Sequence, residues 1–470
     1  MDYSKLYING QWVASSADQT FAVINPATEA VCANVVMGTK EDVDRAVIAA
    51  QAAFKTWSNT SAQYRAQMIQ KLADKLREYR DELAQSMSIS MGMPLHLAGE
   101  VQVDDQIDIL ETYVSRTALM DEVKTIGNAQ IIKQPIGVCA LISPWNYPLN
   151  QLVGKMAPAL ASGCTMIVKP SEQTSLQDFI VAKACDEIGL PAGVFNLVPG
   201  YGPEVGAAMS SHPDIQLISF TGSTRAGIHI AQNAAQNVKR VVQELGGKSP
   251  LLIHEGCDIA AAVEYGIEDV MINTGQTCTA YSRWLVQKNI AKEVIALAKQ
   301  QAQAIVIGSG DDAFMGPMVS QVQQQRVLGY IETGIKEGAT LITGGTEKPA
   351  GLEKGFYVQP TIFAHVNNNM TIAREEIFGP VICIIEYDTL EEGIAIANDT
   401  VYGLAAAVYA KDKPQGLEIA KQIDAGMVYV NGGGYNIEAP FGGMKQSGNG
   451  REFGDEGLHE YVEVKAIHMD

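Results

Sequence analysis

The sequence lacks the signatures of several protein classes. Its seven cysteines lie singly, with no CxxC pair and no Cys and His spacing of the kind that a zinc site needs. The N-terminal residues form no apolar signal region, and no apolar run approaches the roughly 18 residues of a membrane span. We therefore expect a cytoplasmic protein in a reducing compartment, with no bound metal and no membrane contact.

Positive charge is also scarce. The chain has 34 lysines and arginines against 53 aspartates and glutamates, a formal net charge of -19. Such a surface repels phosphate backbones, which argues against nucleic acid as a partner. The 470 residues, 47% of them hydrophobic, are enough for roughly two to four ordinary globular domains.

The order of apolar segments predicts an α/β protein. Thr39, with Asp42 three residues later, predicts the start of an amphipathic helix that continues to Trp57, and a second helix is predicted over 62–80. From Gly137 onward, short apolar runs alternate with helix-length segments, which is typical of parallel, doubly wound sheets. The candidate strands are 138–142, 165–168, 195–198, 216–220 and 238–242 in a first domain and 250–253, 283–287, 381–386, 405–409 and 426–430 in a second.

Two segments fit neither predicted domain. Residues 123–134 and 460–467 have the alternation of strands but lie outside the βαβ pattern. Such strands could add to the edge of a sheet elsewhere, including one on another subunit.

Glycine-rich turns after two candidate strands could bind phosphate, because backbone N–H groups at a helix start face an anion. Residues 200–206 nearly match GxGxxG, although the third glycine is one position late, and residues 220–227 contain Gly222 and Ser223. The residues alone leave open whether either segment binds phosphate or is an ordinary turn.

Four polar groups could carry chemistry. Cys278 lies in a small, polar loop, an unusual place for a packing cysteine. Glu244 ends a strand at the domain junction and could act as a general base, while Asn146 follows another strand and could donate to an oxyanion. Lys169 and Glu172 could hold the hydroxyls of a ribose. Each also has a plain alternative: a packed thiol, a surface carboxylate, a rigid turn and a solvated helix start.

Seven short motifs, in this order, resemble those of the aldehyde dehydrogenase superfamily, and the likeness runs from about residue 7 to the C-terminal strand. The motifs are PWNYP at 144–148, KPSE at 169–172, FTGS at 220–223, ELGGK at 244–248, GQTC at 275–278, EEIFGP at 375–380 and PFGG at 440–443.

The resemblance implies a mechanism. Cys278 would be the nucleophile that adds to an aldehyde carbonyl, and Asn146 with the Cys278 backbone N–H would form the oxyanion hole. Hydride would pass to the cofactor and leave a thioester, and Glu244 would activate the water that releases the acid.

The resemblance also implies an NAD site. Gly222 and Ser223 would meet the pyrophosphate, Lys169 and Glu172 the adenine ribose, and Glu376 the nicotinamide ribose, with Phe378 beside the nicotinamide. The other residues implied around the cofactor are Ile142, Ser143, Pro144, Trp145, Ser171, Gly202, Phe220 and Leu245. We expect NAD rather than NADP, because the Glu172 carboxylate would repel a 2′-phosphate.

A substrate tunnel and an oligomer follow from the same resemblance. The tunnel walls would be Tyr147, Gln151, Thr277, Thr279, Tyr435 and Phe441. Gly154 stands where relatives often have a bulky aromatic residue, which would widen the tunnel. The expected division is a cofactor domain at 1–120 and 136–246, a catalytic domain at 247–445, and a β flap at 121–135 and 455–470 that builds a homodimer or homotetramer.

Two other functions stay open. In a CoA-acylating member of the superfamily a thiol would replace water, although Glu244 would then be idle. A catalytically silent binding protein would need a lost nucleophile or cofactor contact, and none of these residues is lost. The sequence does not name the aldehyde.

Overall fold

The first long helix begins at the predicted cap in this computed structural model, which describes residues 2–470. The Thr39 side chain accepts a hydrogen bond from the Asp42 backbone N–H, and the Asp42 side chain accepts one from the Thr39 backbone. The second predicted helix is wrong at its C-terminal end. It stops at Glu78, and a new helix starts at Arg80, because Tyr79 leaves helical backbone angles.

Helices cover both faces of the sheets. In chain order they are α1 (Lys40–Trp57), α2 (Ala62–Glu78), α3 (Arg80–Met91), α4 (Leu95–Gly99), α5 (Asp105–Arg116), α6 (Pro148–Ser162), α7 (Leu176–Glu187), α8 (Ala207–Ser211), α9 (Thr224–Ala235), α10 (Ile259–Met271), α11 (Ala291–Ala304), α12 (Gln321–Lys336), α13 (Thr371–Arg374), α14 (Leu390–Asn398), α15 (Lys413–Ala420) and α16 (Gly454–His459).

The strands fall into two large and two small sheets. In chain order they are β1 (Leu6–Ile8), β2 (Gln11–Val13), β3 (Thr20–Ile24), β4 (Val31–Val36), β5 (Lys124–Ile126), β6 (Ala129–Pro135), β7 (Val138–Ile142), β8 (Thr165–Lys169), β9 (Phe195–Leu197), β10 (Leu217–Thr221), β11 (Arg240–Glu244), β12 (Pro250–Ile253), β13 (Arg283–Gln287), β14 (Thr340–Thr343), β15 (Thr361–Ala364), β16 (Val381–Tyr387), β17 (Ala405–Tyr409), β18 (Met427–Val430), β19 (Gly448–Asn449) and β20 (Val462–His468).

The first large sheet has the order β19-β11-β10-β7-β8-β9-β1-β2. Its five central strands are parallel, and β1, β2 and β19 add to the edges in antiparallel fashion. The predicted strand at 238–242 is wrong in position, because β11 starts at Arg240. Val238 has φ 53 and is 91% exposed, so it belongs to the preceding turn.

The second large sheet has the order β14-β15-β16-β13-β12-β17-β18 and is parallel except for β14. Two of its strands, β14 and β15, were not among the sequence-based predictions. The first is half exposed and begins and ends with threonine, and the second has only four residues, so neither presents a long apolar run. The predicted fold class is otherwise confirmed: two doubly wound α/β sheets with a small β flap.

The flap unites the two segments that fit neither domain. Strands β5 and β6 form a hairpin, and β20 pairs along β6 in antiparallel register from Val462 opposite Pro135 to His468 opposite Ala129. The last strand thus starts two residues later than predicted. Its outward side chains are exposed along nearly the whole strand.

The parallel strands of the first sheet end at the same edge. Ile142, Lys169, Thr221 and Glu244 are the last residues of adjacent strands, and the chain passes into the second sheet directly after Glu244. Ligands of open α/β sheets bind at such carboxyl ends. The fold therefore places the predicted polar residues at one cleft.

Candidate active site

The loop before Cys278 has a strained backbone. Asn273, Thr274 and Gly275 all have positive φ values, of 52, 59 and 69°. A Cβ on Gly275 would collide with the backbone of Gly379, so no other residue fits there. The buried Gln276 amide donates to the Asn273 carbonyl at 3.0 Å and accepts from the Val319 N–H at 2.8 Å. These contacts fix the loop, as is common where strain serves function.

Asn146 adjoins this loop. Its side-chain amide donates to the Gln276 carbonyl at 2.9 Å, and its own carbonyl accepts from the amides of Gln102 and Asn273 at 3.1 and 2.9 Å. The fold thus brings a buried amide donor to Gln276, two residues before Cys278, although 130 positions separate Asn146 from Gln276.

Glu244 is a buried carboxylate without a partner. It is 2% exposed, and neither side-chain oxygen accepts a hydrogen bond from residues 2–470. Burial, reinforced by the nearby Glu452 charge, raises its pKa well above the usual range. A Cβ on Gly442 would lie 2.6 Å from Glu244 Oε1. Only glycine at position 442 therefore avoids a collision with the carboxylate.

The segment around Ser447 and Gly448 pairs with the outer edge of strand β11, which ends at Glu244. Gly448 pairs with Glu244 in the β11–β19 ladder, and the Leu245 N–H donates to the Ser447 carbonyl at 2.9 Å. The Ser447 hydroxyl donates to the Gly246 carbonyl at 2.7 Å and accepts from the Gly403 N–H at 2.9 Å. One serine therefore links both large sheets beside the predicted base.

Lys155 and Glu452 form a buried ion pair that sequence reasoning missed. The Lys155 ammonium lies 2.7 Å from Glu452 Oε1 and donates to the Thr221 hydroxyl at 2.7 Å and the Gln151 carbonyl oxygen at 3.3 Å. Because 297 positions separate lysine and glutamate, no local pattern could indicate the pair. The pair lies near Glu244, whose pKa both charges influence.

Cys278 is surrounded by acidic groups. Burial, with the carboxylates of Glu376 and Glu244, raises the pKa of its thiol. The thiol of the free protein is therefore protonated near neutral pH, and it gains nucleophilic thiolate as the pH rises.

The predicted cofactor residues line the carboxyl edge of the first sheet. Ile142 pairs with both Lys169 and Phe220 across this edge, and Ser143 to Trp145 continue directly from β7. The Lys169 ammonium is buried, donates to the Pro170 carbonyl at 2.6 Å and lies 3.9 Å from the Glu172 carboxylate. The Ser171 side chain caps the short turn Glu172–Thr174.

A helix start faces the same edge. Ser223 caps α9, its side chain accepting from the Ala226 N–H, and the first turn of this helix has no acidic residue. Gly202 is the first residue of the turn Gly202–Gly206. The space beside it is open, because an added Cβ would meet nothing within 4 Å. The Ser143 hydroxyl is buried without a partner among residues 2–470. An unpaired hydroxyl, a free helix start and Lys169 with Glu172 suit a dinucleotide.

Glu376 and Phe378 reach this cleft from the second domain. The Glu376 carboxylate accepts from the Gly247 N–H at 2.9 Å, and the Phe378 ring meets the Trp145 ring edge-on at 5.3 Å. An added Cβ on Gly246 would collide with that carboxylate, and Leu245 packs against Gly227 of α9. The structure thus brings Glu376 against Gly247 and Phe378 against Trp145, beside the carboxyl edge of the first large sheet.

All six predicted tunnel residues line one cavity with Cys278. The cavity measures about 330 Å³ and also has Asp105, Tyr265, Asp269, Tyr281 and Tyr429 in its wall, which sequence reasoning missed. A hydrogen bond of 2.9 Å joins the hydroxyl groups of Tyr147 and Thr277.

The expectation that Gly154 widens the tunnel is wrong. An added Cβ on Gly154 would lie 2.9 Å from the Phe453 ring and 3.0 Å from Glu452 Oε2. The ring of Phe453 is itself 1% exposed. These side chains fill the space beside the glycine, and Gly154 does not line the cavity.

No group of three or more His, Cys, Asp or Glu side chains in residues 2–470 is arranged to hold a metal ion. No helix in the same residues is both long and apolar enough to cross a membrane.

Known proteins with this arrangement share one family. Residues 12–467 match the model of the aldehyde dehydrogenase family. The chain is 45% identical to a 3-succinoylsemialdehyde-pyridine dehydrogenase of a Pseudomonas species, over 99% of this chain and 98% of that protein.

Solved structures agree with the sequence match. A mutant of aldehyde dehydrogenase C from Pseudomonas syringae, crystallised with NAD+ and octanal, superposes with a TM-score of 0.98 at 48% identity, over 99% of this chain and 96% of that one. An aldehyde dehydrogenase from Bacillus cereus in complex with NAD+ gives 0.97 at 41% identity, over 100% and 97% of the chains. This chain belongs to the aldehyde dehydrogenase family.

Proposed function

We propose that this protein oxidises an aldehyde to a carboxylic acid with NAD and water, and that Cys278 carries the acyl group between the two half-reactions. The observation that carries this proposal is the position of Cys278. It lies between a cavity large enough for a small aldehyde and a cleft whose residues suit a dinucleotide, with a buried amide and a buried carboxylate beside it.

In the first half-reaction the Cys278 thiolate adds to the carbonyl carbon. A bond forms from sulfur to carbon, and the carbonyl π electrons move to oxygen, where the Asn146 amide and the Cys278 N–H stabilise the charge. The thiol proton leaves to solvent. The tetrahedral carbon then loses a hydride, and NAD, when bound, supplies the acceptor for it. A thioester on Cys278 results.

In the second half-reaction Glu244 takes a proton from water. The water oxygen bonds to the thioester carbon, the same oxyanion donors stabilise the intermediate, and the carbon–sulfur bond breaks to release the acid. A base for this step needs a pKa close to the working pH. The burial of Glu244, which raises its pKa, supplies that property.

NAD is the cofactor that the cleft suits. Solved relatives from Pseudomonas syringae and Bacillus cereus were crystallised with NAD+. In this chain Lys169 and Glu172 would hold the adenine ribose, and the Glu172 carboxylate disfavours the extra phosphate of NADP. Glu376 would hold the nicotinamide ribose, the start of α9 would face the diphosphate, and the eight-stranded sheet would be the cofactor domain.

We also propose that copies of this chain associate through the flap. Strand β20 ends the three-stranded sheet and exposes Val464 at 68% and Ile467 at 40%, and Ile126 of β5 is 54% exposed. Light scattering on the purified protein would measure whether it is a monomer, a dimer or a tetramer. The seven free thiols suit a reducing, cytoplasmic location.

The proposed activity is tested by NADH formation with a panel of aldehydes, with NAD and NADP in parallel and with and without CoA. We expect turnover with NAD in the absence of CoA, and the free acid as product. A strict requirement for CoA would instead indicate an acyl-CoA product, and bound NAD without any turnover would indicate a binding protein.

A further inference from the structure

The cavity above Cys278 is acidic. Asp269 and Asp105 line it, and no lysine, arginine or histidine does so among residues 2–470. Neighbouring Asp104 forms an ion pair with Arg80 at 2.6 Å. By contrast, partial burial and the nearby charges of Asp108, Asp104 and Glu100 raise the pKa of Asp105, so its surroundings add negative charge rather than positive.

Asp269 is the deeper of the two carboxylates. It lies on α10, nine residues before Cys278, and its Oδ2 accepts from the Tyr281 N–H at 2.8 Å. This backbone N–H is the one hydrogen bond that the described residues give it. Burial raises its pKa to about 7, because one backbone hydrogen bond stabilises the charged form less than water does.

Aromatic rings surround Asp269. Tyr265 lies one helical turn before it on α10 and stacks on Tyr281, with ring centroids 5.6 Å apart. Tyr429 meets Tyr281 edge-on at 6.4 Å, and Tyr435 lies in the same cavity wall. Faces of tyrosine rings attract a cation, and they do so most strongly where water is excluded.

We propose that this cavity selects aldehydes that carry a cationic nitrogen at the end opposite the carbonyl, and that Asp269 is the residue that determines this specificity. The proposal rests on the proposed function, because it assigns the tail of the substrate whose carbonyl meets Cys278. The cation would lie among the tyrosine rings and offset the cost of the partly buried carboxylate.

Other tails fit this cavity less well. A carboxylate tail would meet two like charges and no basic side chain. A neutral alkyl tail can pack against the rings, but it leaves Asp269 without a counter-charge. The cavity therefore ranks a cationic tail above a neutral one of the same shape, and both above an anionic tail.

The test compares two aldehydes of equal length and shape. One ends in a trimethylammonium group and the other in a tert-butyl group, so that they differ in charge alone. We expect kcat/KM with NAD to be about tenfold higher for the cationic aldehyde in the unmodified protein. In Asp269→Asn we expect the ratio to fall to about one, and in Asp105→Asn to fall about threefold because Asp105 is exposed to solvent.

Glu268→Gln is the matched control. Glu268 is the adjacent residue on α10, is exposed and does not line the cavity, so the substitution removes one negative charge from the same helix. We expect its ratio to equal that of the unmodified protein. Asp269→Asn keeps a side-chain oxygen that can accept the hydrogen bond from the Tyr281 N–H, so the contact between α10 and the segment after Cys278 is retained.

The outcomes separate two failures. Equal kcat/KM for the two aldehydes in the unmodified protein, or an unchanged ratio in Asp269→Asn, would overturn the assignment while leaving aldehyde oxidation intact. Oxidation of neither aldehyde, nor of any other in the panel, would overturn the proposed function and this inference with it.

Discussion

The two sides of Cys278 are built in different ways. The cofactor side consists of the ends of adjacent strands in one sheet, where Ile142, Lys169 and Phe220 lie in register. The substrate side is collected from α5, α6, α10 and the segment after β18, and it has no such register. A regular edge of paired strands leaves little freedom for change, whereas a wall of separate pieces can change one piece at a time.

The same contrast applies to two carboxylates, Glu244, which is buried, and Asp269, which is partly buried. Glu244 ends a strand, is held by the ladder to β19, and has no hydrogen-bond partner. Asp269 lies on a helix face and has one partner, a backbone N–H. Burial raises the pKa of both. We assign Glu244 to the catalytic steps and Asp269 to substrate recognition. The predictions below test that division.

The largest expected effect is the loss of activity when the sulfur of Cys278, which lies between the two sides, is removed. Cys278→Ala removes the nucleophile, so we expect steady-state NADH formation to fall at least about 10⁴-fold. NAD affinity, measured by fluorescence titration, should change by less than about threefold, because the cofactor cleft is intact. Cys257→Ala, at a half-buried cysteine that does not line the cavity, is the control. Retained turnover in the alanine variant would contradict the assignment.

Glu244→Gln should separate the half-reactions. The glutamine keeps the shape of the side chain but cannot take a proton from water, so the thioester should accumulate. Stopped-flow measurements should then give a burst of about one NADH per active site, followed by turnover slowed about 10²- to 10³-fold. Glu255→Gln, exposed and remote from Cys278, should behave like the unmodified protein. An unslowed steady state would exclude Glu244 as the base.

The pH dependence should report the same two groups. Burial raises the pKa values of the Cys278 thiol and the Glu244 carboxyl, and both react in the deprotonated form. Rates should therefore increase with pH, by up to about tenfold per unit below the relevant pKa. In Glu244→Gln the burst rate should still rise with pH, while the slow steady state should lose most of its slope. A steady-state profile unaltered by the substitution would argue against this origin.

The cofactor side can be tested at Glu172. Glu172→Gln removes the charge that opposes a 2′-phosphate, so kcat/KM with NADP should rise about tenfold while that with NAD changes by less than about threefold. Glu418→Gln, 70% exposed on α15, removes the same charge elsewhere. If both substitutions raise NADP use equally, overall charge rather than Glu172 sets the preference.

The smallest expected effect concerns stability. The folded protein raises the pKa of Asp269 to about 7, so the ionised side chain destabilises the fold as pH rises from about 4, and fully above about 7. Asp269→Asn should therefore raise the Tm of the protein without substrate by roughly 2 °C at pH 8 and by less at pH 5. Calorimetry measures both values. A lower Tm at pH 8 would show that the carboxylate is structural.

Periodicity alone predicted the strand ends of the first sheet, whereas the residues of the substrate cavity needed the family resemblance, for a physical reason. Strand ends in a parallel sheet meet at one edge whatever the strand order, so Lys169, Phe220 and Glu244 could be brought together from periodicity and glycine turns alone. Only the family resemblance joined Cys278 and Asn146 in one site, because the hydrogen bond from Asn146 to the loop before Cys278 spans 130 positions.

Other residues had no signal in the sequence. Glu452 meets Lys155 only after the C-terminal segment has folded back onto α6, and Asp269 shares a helix with other acidic residues. The Gly154 expectation failed for a related reason, since Phe453, from a distant part of the chain, occupies the space that the missing side chain leaves.

The short ladder between β19 and β11 has a consequence for biosynthesis. The partner of Glu244 in this ladder is Gly448, which follows every strand of the second large sheet in the sequence. A nascent chain can pair the five parallel strands of its first sheet while ribosomal translation continues, because domains form as units from the N-terminus. The strand that pairs with Glu244 is synthesised only after the whole second sheet. A product of interrupted translation that stops before Gly448 would thus contain the parallel strands of the first sheet but lack the partner of Glu244.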